Sequence, residues 1–182
     1  MEILKITIDY ISRNGIKSFS LRNIAEAIGI KQPTLYDHFD SKEAILRGIF
    51  NLYKFDVLSY NNDLASLNIP KLTKIKMYFL KMSEFIQYKP DYMNLVWFEL
   101  YQHRDIFEND LTFLLDSMKK IIANGKDDVD INGEIDYEWI IVQIYGILHY
   151  FLKSKLLSED FDVLKNADEY WNTLESLLKS AK

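Results

Sequence analysis

Along most of the chain, apolar residues recur at spacings of three and four rather than two, which predicts amphipathic helices. Five such stretches follow residue 70. Ile75, Tyr78, Phe79, Met82, Phe85 and Ile86 make one face that closes before Pro90, and Tyr92, Leu95, Val96 and Tyr101 make a shorter one. Leu111, Leu114, Leu115, Met118, Ile121 and Ile122 form a third, which Asn124-Gly125 can stop with a left-handed residue. The fourth runs from Tyr137 through Ile140, Ile141, Ile144, Leu148 and Phe151, with Trp139, Val142, Tyr145, Ile147 and Tyr150 filling its other sides. Such a helix must be covered on more than one face. Phe161, Leu164, Trp171, Leu174, Leu177 and Leu178 give the fifth. The acidic stretch 126–134 reads as a loop, because neither Asn124-Gly125 nor Asn132-Gly133 is flanked by alternating strands.

The first 50 residues are punctuated more densely. Leu4 to Tyr10 alternates apolar and polar, a strand signal, yet Leu4, Ile8 and Ile11 also make a helical stripe closed by Asn14-Gly15. Local propensity leaves both open. Ser20 can cap a short helix with Leu21, Ile24, Ala25 and Ile28 inward, and Gly29 can end it. Pro33 suits the first turn of a new helix, where its missing N–H costs nothing. Leu35 and Phe39 then face inward, leaving Gln32, Thr34, Tyr36, Asp37 and His38 outside. A second cap falls at Asp40 or Ser41, with Glu43 completing a capping box if Asp40 is the cap. A long helix carrying Ile45, Leu46, Ile49, Phe50 and Tyr53 follows.

Helix, glycine turn, helix, with small Ala25 where two helices cross closely, is the helix-turn-helix pattern. The second helix of such a pair enters the DNA major groove by its N-terminus. Gln32 can there make the paired hydrogen bonds that single out adenine, while Pro33 and the Thr34 methyl meet thymine methyls. Lys31, Tyr36, His38 and Lys42 can contact phosphates, as can the Ser20 hydroxyl and the amides of its helix N-terminus, while Arg22 is a further DNA-binding candidate whose alternative is a solvated surface charge.

The segment from Gly15 to Leu46, GIKSFSLRNIAEAIGIKQPTLYDHFDSKEAIL, resembles the DNA-binding domain of TetR-family transcriptional regulators, through S-x-R-x-I-A from Ser20, the glycine turn, T-L-Y-x-H-F from Thr34 and S-K-E from Ser41. The resemblance implies an all-α fold with a helix-turn-helix domain at residues 1–47 (helices near 2–14, 20–28 and 33–39) and a helical effector-binding and dimerisation domain at 48–182. Residues 2–14 are therefore expected to be helical despite their alternation. Many family members carry a basic arm before the first helix, whereas only Met1-Glu2 precede it here. The resemblance further implies a cavity for a small apolar or aromatic effector, with Tyr78, Met82, Phe85, Trp97, Tyr101, Phe113, Tyr145 and His149 as candidate lining. The surplus apolar faces of 137–157 and 161–178 call for a homodimer, pairing as a four-helix bundle, that reads a palindromic operator. Its two recognition helices must lie about 34–36 Å apart to enter successive major grooves. An effector that favours a different spacing would release the DNA, with the helix from Ser41 towards Leu58 as lever.

Composition alters this picture only at the margins. The 182 residues contain no cysteine, which excludes disulfides, thiolate zinc sites and thiol nucleophiles. The net charge of -5 argues, taken whole, against a partner as negative as DNA. It is unevenly spread: seven basic and six acidic residues put residues 1–50 at +1, and the remainder carries -6. Binding is expected to rest on locally placed cations and helix N-termini, with weak non-specific affinity.

Glu99 and His103, with Asp105 nearby, share a helical spacing that could hold a metal, but a solvated or core-edge pair is the preferred reading. No phosphate loop, G-x-G-x-x-G or H-E-x-x-H is present, so no enzyme, cofactor or metal is expected. The apolar run Trp139 to Leu152 is too short to span a membrane, no secretory signal is read, and a cytoplasmic location follows. The alternative to a DNA-binding repressor is a helical protein-interaction or ligand-binding module that has lost DNA binding.

Overall fold

Residues 4 to 11 decide between their two periodicities in favour of the helix, since the side chains that become buried are Leu4, Thr7 and Ile11. The polar member is satisfied within its own helix, Thr7 Oγ1 donating to the Ile3 carbonyl at 2.8 Å. The structure, a computed structural model, describes residues 2–99, 113–127 and 136–180. Among them the helices are α1 (Glu2–Asn14), α2 (Leu21–Ile28), α3 (Gln32–Tyr36), α4 (Lys42–Ser66), α5 (Lys71–Tyr88) and α6 (Pro90–Asn94). After a π-helical turn, Leu95–Glu99, come α7 (Phe113–Ala123), α8 (Tyr137–Leu157) and α9 (Val163–Ser180). A 3-10 turn, Ile16–Ser18, joins α1 to α2.

The described residues form two compact units, one running to Val57 and resuming at Asp91, the other holding Leu58–Pro90 and the residues from α7 onward. In the first, α1 packs on α2 and α2 on α3. Its core is built from Leu4, Ile11, Phe19, Ile24, Ala25, Leu35, Ile45, Leu46, Ile49 and Phe50. Helix α4 lies close enough to α1 that a Cβ on Gly48 would meet the Leu4 side chain at 3.1 Å.

In the second unit α5 packs against α7, α8 and α9. Phe79 is its aromatic hub, with ring centroids 6.1 Å from Phe151, 5.6 Å from Tyr170 and 5.9 Å from Trp171. The corner before α5 is tied to the end of α7 by backbone bonds, Lys71 N–H to the Lys126 carbonyl and Lys126 N–H to the Ile69 carbonyl, each 3.0 Å. Beneath it Lys74 is fully buried. Its ammonium donates to the Ala65 carbonyl at 2.9 Å and to the Asn124 carbonyl at 3.4 Å, at the C-terminal ends of α4 and α7, where the helix dipole favours a cation. Burial holds its pKa below the ordinary lysine value.

Four details depart from the sequence reading, and one alternative it left open, the cap of α4, is decided. Helix α3 spans Gln32 to Tyr36, shorter than 33–39, because the chain tightens behind it: the His38 and Phe39 amides both reach the Leu35 carbonyl, at 3.1 and 3.0 Å. Ser41 is the cap of α4, its hydroxyl accepting from the Ala44 amide at 3.1 Å, which places Glu43 a residue too early for a capping box. Gly125 is not left-handed, since the positive-φ glycines among the described residues are Gly15 and Gly29. It is demanded by space instead, because a Cβ there would lie 2.5 Å from Lys71 Cγ. Helix α9 starts at Val163, after Asp162, whose carboxylate accepts from the Lys165 amide at 3.0 Å, so Phe161 lies outside the helix. Finally, α8 extends to Leu157 and its 21 residues are long and apolar enough to cross a membrane, which removes the length argument. What α8 does in this fold is bury Ile140, Ile141, Ile144, Leu148, Phe151 and Leu152 in the unit that α5 centres.

Candidate nucleic-acid interface

The site is assembled by caps and one turn. Ser20, extended at φ -140 and ψ 155, accepts the Asn23 amide on its hydroxyl oxygen at 3.1 Å and so starts α2. The Asn23 side chain donates to the Ser18 carbonyl at 2.9 Å, fastening the preceding turn to the same helix. Gly29 ends α2 at φ 80 and ψ 25, the left-handed conformation that a side chain disfavours. Its turn is closed by the Ile30 amide on the Ala25 carbonyl at 2.9 Å. Ala25 is 3% exposed, so a larger residue there would separate α2 from α3.

Two residues after the turn, Lys31 is extended and α3 begins, with Pro33 inside its first turn. Only Leu35 of α3 is buried, at 0% exposure; it anchors the helix and fixes which sides face out. Gln32, Pro33, Thr34, Tyr36 and His38 are all exposed, as are Lys31 and Arg22, while Ser20 and Lys42 are half-buried. The residues singled out for DNA contact thus lie on α3, on its flanks and at the starts of α2 and α4. Lys42 has a second role invisible to spacing: its ammonium sits 5.0 Å from the Phe19 ring centroid, so a cation–π contact holds the start of α4 against the residue preceding Ser20. The exposed groups are hydrogen-bonding amide, methyl, phenol, imidazole and cations on a rigid frame. That assortment suits base edges and phosphates.

The effector candidates fare differently. Tyr78 and Met82 are fully buried on α5, and Tyr78 meets Tyr145 of α8, hydroxyl to hydroxyl, at 3.0 Å. Burial pushes the Tyr145 phenol up to about 12. His149 is tied to its own helix, Nδ1 lying 2.7 Å from the Tyr145 carbonyl. Phe85 is half-exposed beneath the ammonium groups of Lys81 and Lys89. Trp97 belongs to the other unit, donating its indole N–H to the Tyr53 hydroxyl at 2.7 Å. Tyr101 and the side chain of Phe113 lie outside the described residues, as do His103, Asp105 and the side chain of Glu99. An open groove of about 430 Å³ between α4, α5 and α9 is lined by Tyr60, Met77, Leu80, Lys81, Glu84, Tyr88 and Leu164, none of them among those candidates.

The sequence reading missed which side of α8 stays bare. Trp139, Val142, Tyr150 and Leu157 are 52, 61, 57 and 87% exposed. With exposed Gly146, whose missing Cβ would meet nothing within 4 Å, they recur at helical spacing and form one stripe. The clue in the sequence was a helix apolar on all sides, which says that something covers it without saying which face.

A left-handed glycine turn, a five-residue helix pinned by one leucine and an outward polar set define an all-helical, helix-turn-helix DNA-binding protein. Comparison with known proteins names the class. Residues 3–49 match the model of bacterial regulatory proteins of the tetR family. Residues 3–49 are thus similar to the DNA-binding domain of TetR-family regulators, and the chain is a DNA-binding transcriptional regulator. Relatives extend along the remainder. The HTH-type transcriptional repressor KstR2 of Rhodococcus jostii is 27% identical over 79% of this chain and 78% of its own length. The nucleoid occlusion factor SlmA of Vibrio cholerae is 23% identical over 98% of this chain and 94% of its own. The fold is shared with the TetR family transcriptional regulator PfmR from Thermus thermophilus, at a TM-score of 0.76 and 16% identity over the whole of both chains. It is shared also with the fatty acid degradation regulator FadR from Bacillus halodurans, at a TM-score of 0.78 and 17% identity over 95% of this chain and 92% of that one.

Proposed function

We propose that the protein is a repressor that binds a palindromic operator as a homodimer in the cytoplasm and is released by a small apolar or aromatic effector. Residues 1–47 read DNA; residues 48–182 bind the effector and hold the dimer. The observation that carries the reading is the outward set on α3: Gln32, Pro33, Thr34 and Tyr36 are exposed on a helix that Leu35 and the Gly29 turn fix in place. Gln32 reads adenine, Pro33 and Thr34 meet thymine methyls, and Tyr36, His38, Lys31, Arg22, Lys42 and Ser20 hold phosphates. The dimer rests on the bare stripe of α8, since apolar side chains this exposed at one spacing mark a surface that another protein covers. The pairing is two-fold, which is why the operator is a palindrome. Release follows from linkage: an effector that prefers the non-binding spacing of the dimer lowers operator affinity by the factor by which DNA lowers its own.

Selection of bound DNA from a random pool tests the reading. An inverted repeat with half-sites one helical turn apart is expected, and binding should weaken steeply with salt as counterions are released. A non-palindromic product, or affinity insensitive to salt, overturns it. Titration of effectors against the selected operator tests release separately.

A further inference from the structure

Among the described residues, buried polar side-chain atoms are hydrogen-bonded with one exception. Thr7 and Ser83 donate to carbonyls of their own helices, at 2.8 and 2.9 Å, and Lys74 reaches two helix ends. Asn61 of α4 is 2% exposed and donates from Nδ2 to Ser117 Oγ of α7 at 2.8 Å. Its Oδ1, equally buried, accepts from nothing, alone in this among the side-chain atoms of the described residues. Leu64, one turn on along α4, and Met118, next to Ser117 in α7, are buried as well. A buried acceptor left open disfavours the free fold, and leucine at this position would remove the penalty at similar size. An amide with its donor engaged and its acceptor free suits a ligand that brings the missing hydrogen.

We propose that Asn61, oriented by Ser117, is the polar anchor of the effector site, and that the effector is an apolar or aromatic molecule presenting a neutral O–H or N–H donor to Asn61 Oδ1. This rests on the effector-released reading above and sharpens it. A cationic donor is disfavoured because Asn61 is shut off from water, and desolvating an ion there is costly. Ser117 is a positioning residue: by accepting from Nδ2 it turns Oδ1 towards the incoming donor.

The test uses matched pairs that differ only in the donor, para-cresol against its methyl ether and indole against N-methylindole, with binding read by calorimetry and thermal shift on the DNA-free dimer. For wild type, at least one donor-bearing member should bind about tenfold more tightly than its methylated form, the worth of a hydrogen bond to a buried acceptor. Asn61→Leu should abolish that preference while leaving the melting temperature of the free protein unchanged or higher. If leucine does not fold, Asn61→Ala provides the same comparison. Equal binding of both members of each pair, no binding of any probe, or a preference that survives in the Asn61 variant overturns the proposal. A melting temperature several degrees lower in Asn61→Leu with the probe preference unchanged also overturns it, marking the amide as a structural group fed by an internal water. Asn61-dependent probe binding that never alters operator affinity keeps the anchor and removes the release model. Release by a probe whose binding ignores Asn61 does the reverse.

Discussion

Helix α3 buries one residue of five, Leu35, and turns polar side chains outward. Helix α8 buries six apolar residues of 21 and still leaves Trp139, Val142, Tyr150 and Leu157 bare. The exposed Gln32, Thr34 and Tyr36 of α3 can hydrogen-bond, so water satisfies them, and under the proposed function DNA takes its place. The exposed groups of α8 gain nothing from water, and in the proposed dimer their burial is worth roughly 25 cal/mol for each Å² covered. A single leucine and a glycine turn suffice to aim α3, which lets its outward residues vary without refolding the domain. Under the proposed dimer, an outward residue of the α8 stripe is part of an interface, and altering it alters assembly.

The sharpest break in this comparison is expected from placing charge on the apolar side. Val142→Glu combined with Tyr150→Glu should give a monomer by sedimentation, with operator affinity reduced by roughly 10²- to 10⁴-fold as two linked half-sites become independent. A double variant that remains dimeric would remove the stripe from the interface. On the polar side, Gln32→Ala should cost about 1–3 kcal/mol of discrimination at one base position, read by binding to operators altered base by base. Tyr36→Phe should instead weaken all sequences alike. The reverse pattern would exchange their roles.

Smaller effects probe the frames. Gly29→Ala forces a side chain into φ 80, at a cost of about 1–2 kcal/mol in chemical denaturation, and should lower operator affinity with it because α3 is re-aimed. Ser20→Ala removes the cap of α2 and should cost about 1 kcal/mol by the same measurement. Tyr145→Phe loses the bond to Tyr78, worth about 0.5–1.5 kcal/mol at neutral pH. Because the Tyr145 pKa is raised from 10.0 to about 12 in the folded protein, the neutral phenol favours folding. Its contribution is complete below pH 10 and disappears as pH rises towards 12, so the variant should lack that part of the alkaline decline.

Much of the DNA-reading domain was legible because its determinants are local. Ser20 to Asn23, Ala25 to Ile30 and Lys31 to Leu35 are contacts three to five residues apart, and cap, glycine and proline each have a conformational preference of their own. The alternation at residues 4 to 10 left strand and helix both open for the same reason: a short window shows periodicity but not which residues a neighbouring helix will cover. Lys42 was legible as a cation beside the site and illegible as the partner of Phe19, since no local pattern brings residues 19 and 42 together. The effector candidates were chosen for aromatic character, yet the open acceptor is on Asn61, a polar residue in a helix with no signal of its own.

By itself, then, the chain determined its helices, the caps and the glycine turn that aim α3, the outward chemistry of that helix and its resemblance to TetR-family DNA-binding domains. These follow from dihedral preference, hydrogen bonding within a few residues and helical period. The tertiary structure decided which face of α8 stays bare, why residue 125 is glycine, where the buried Lys74 finds its acceptors and that Asn61 is left with one unfilled. Each of those depends on what another helix presents, for Asn61 and Ser117 from 56 residues away, and burial is a property of that meeting rather than of either segment.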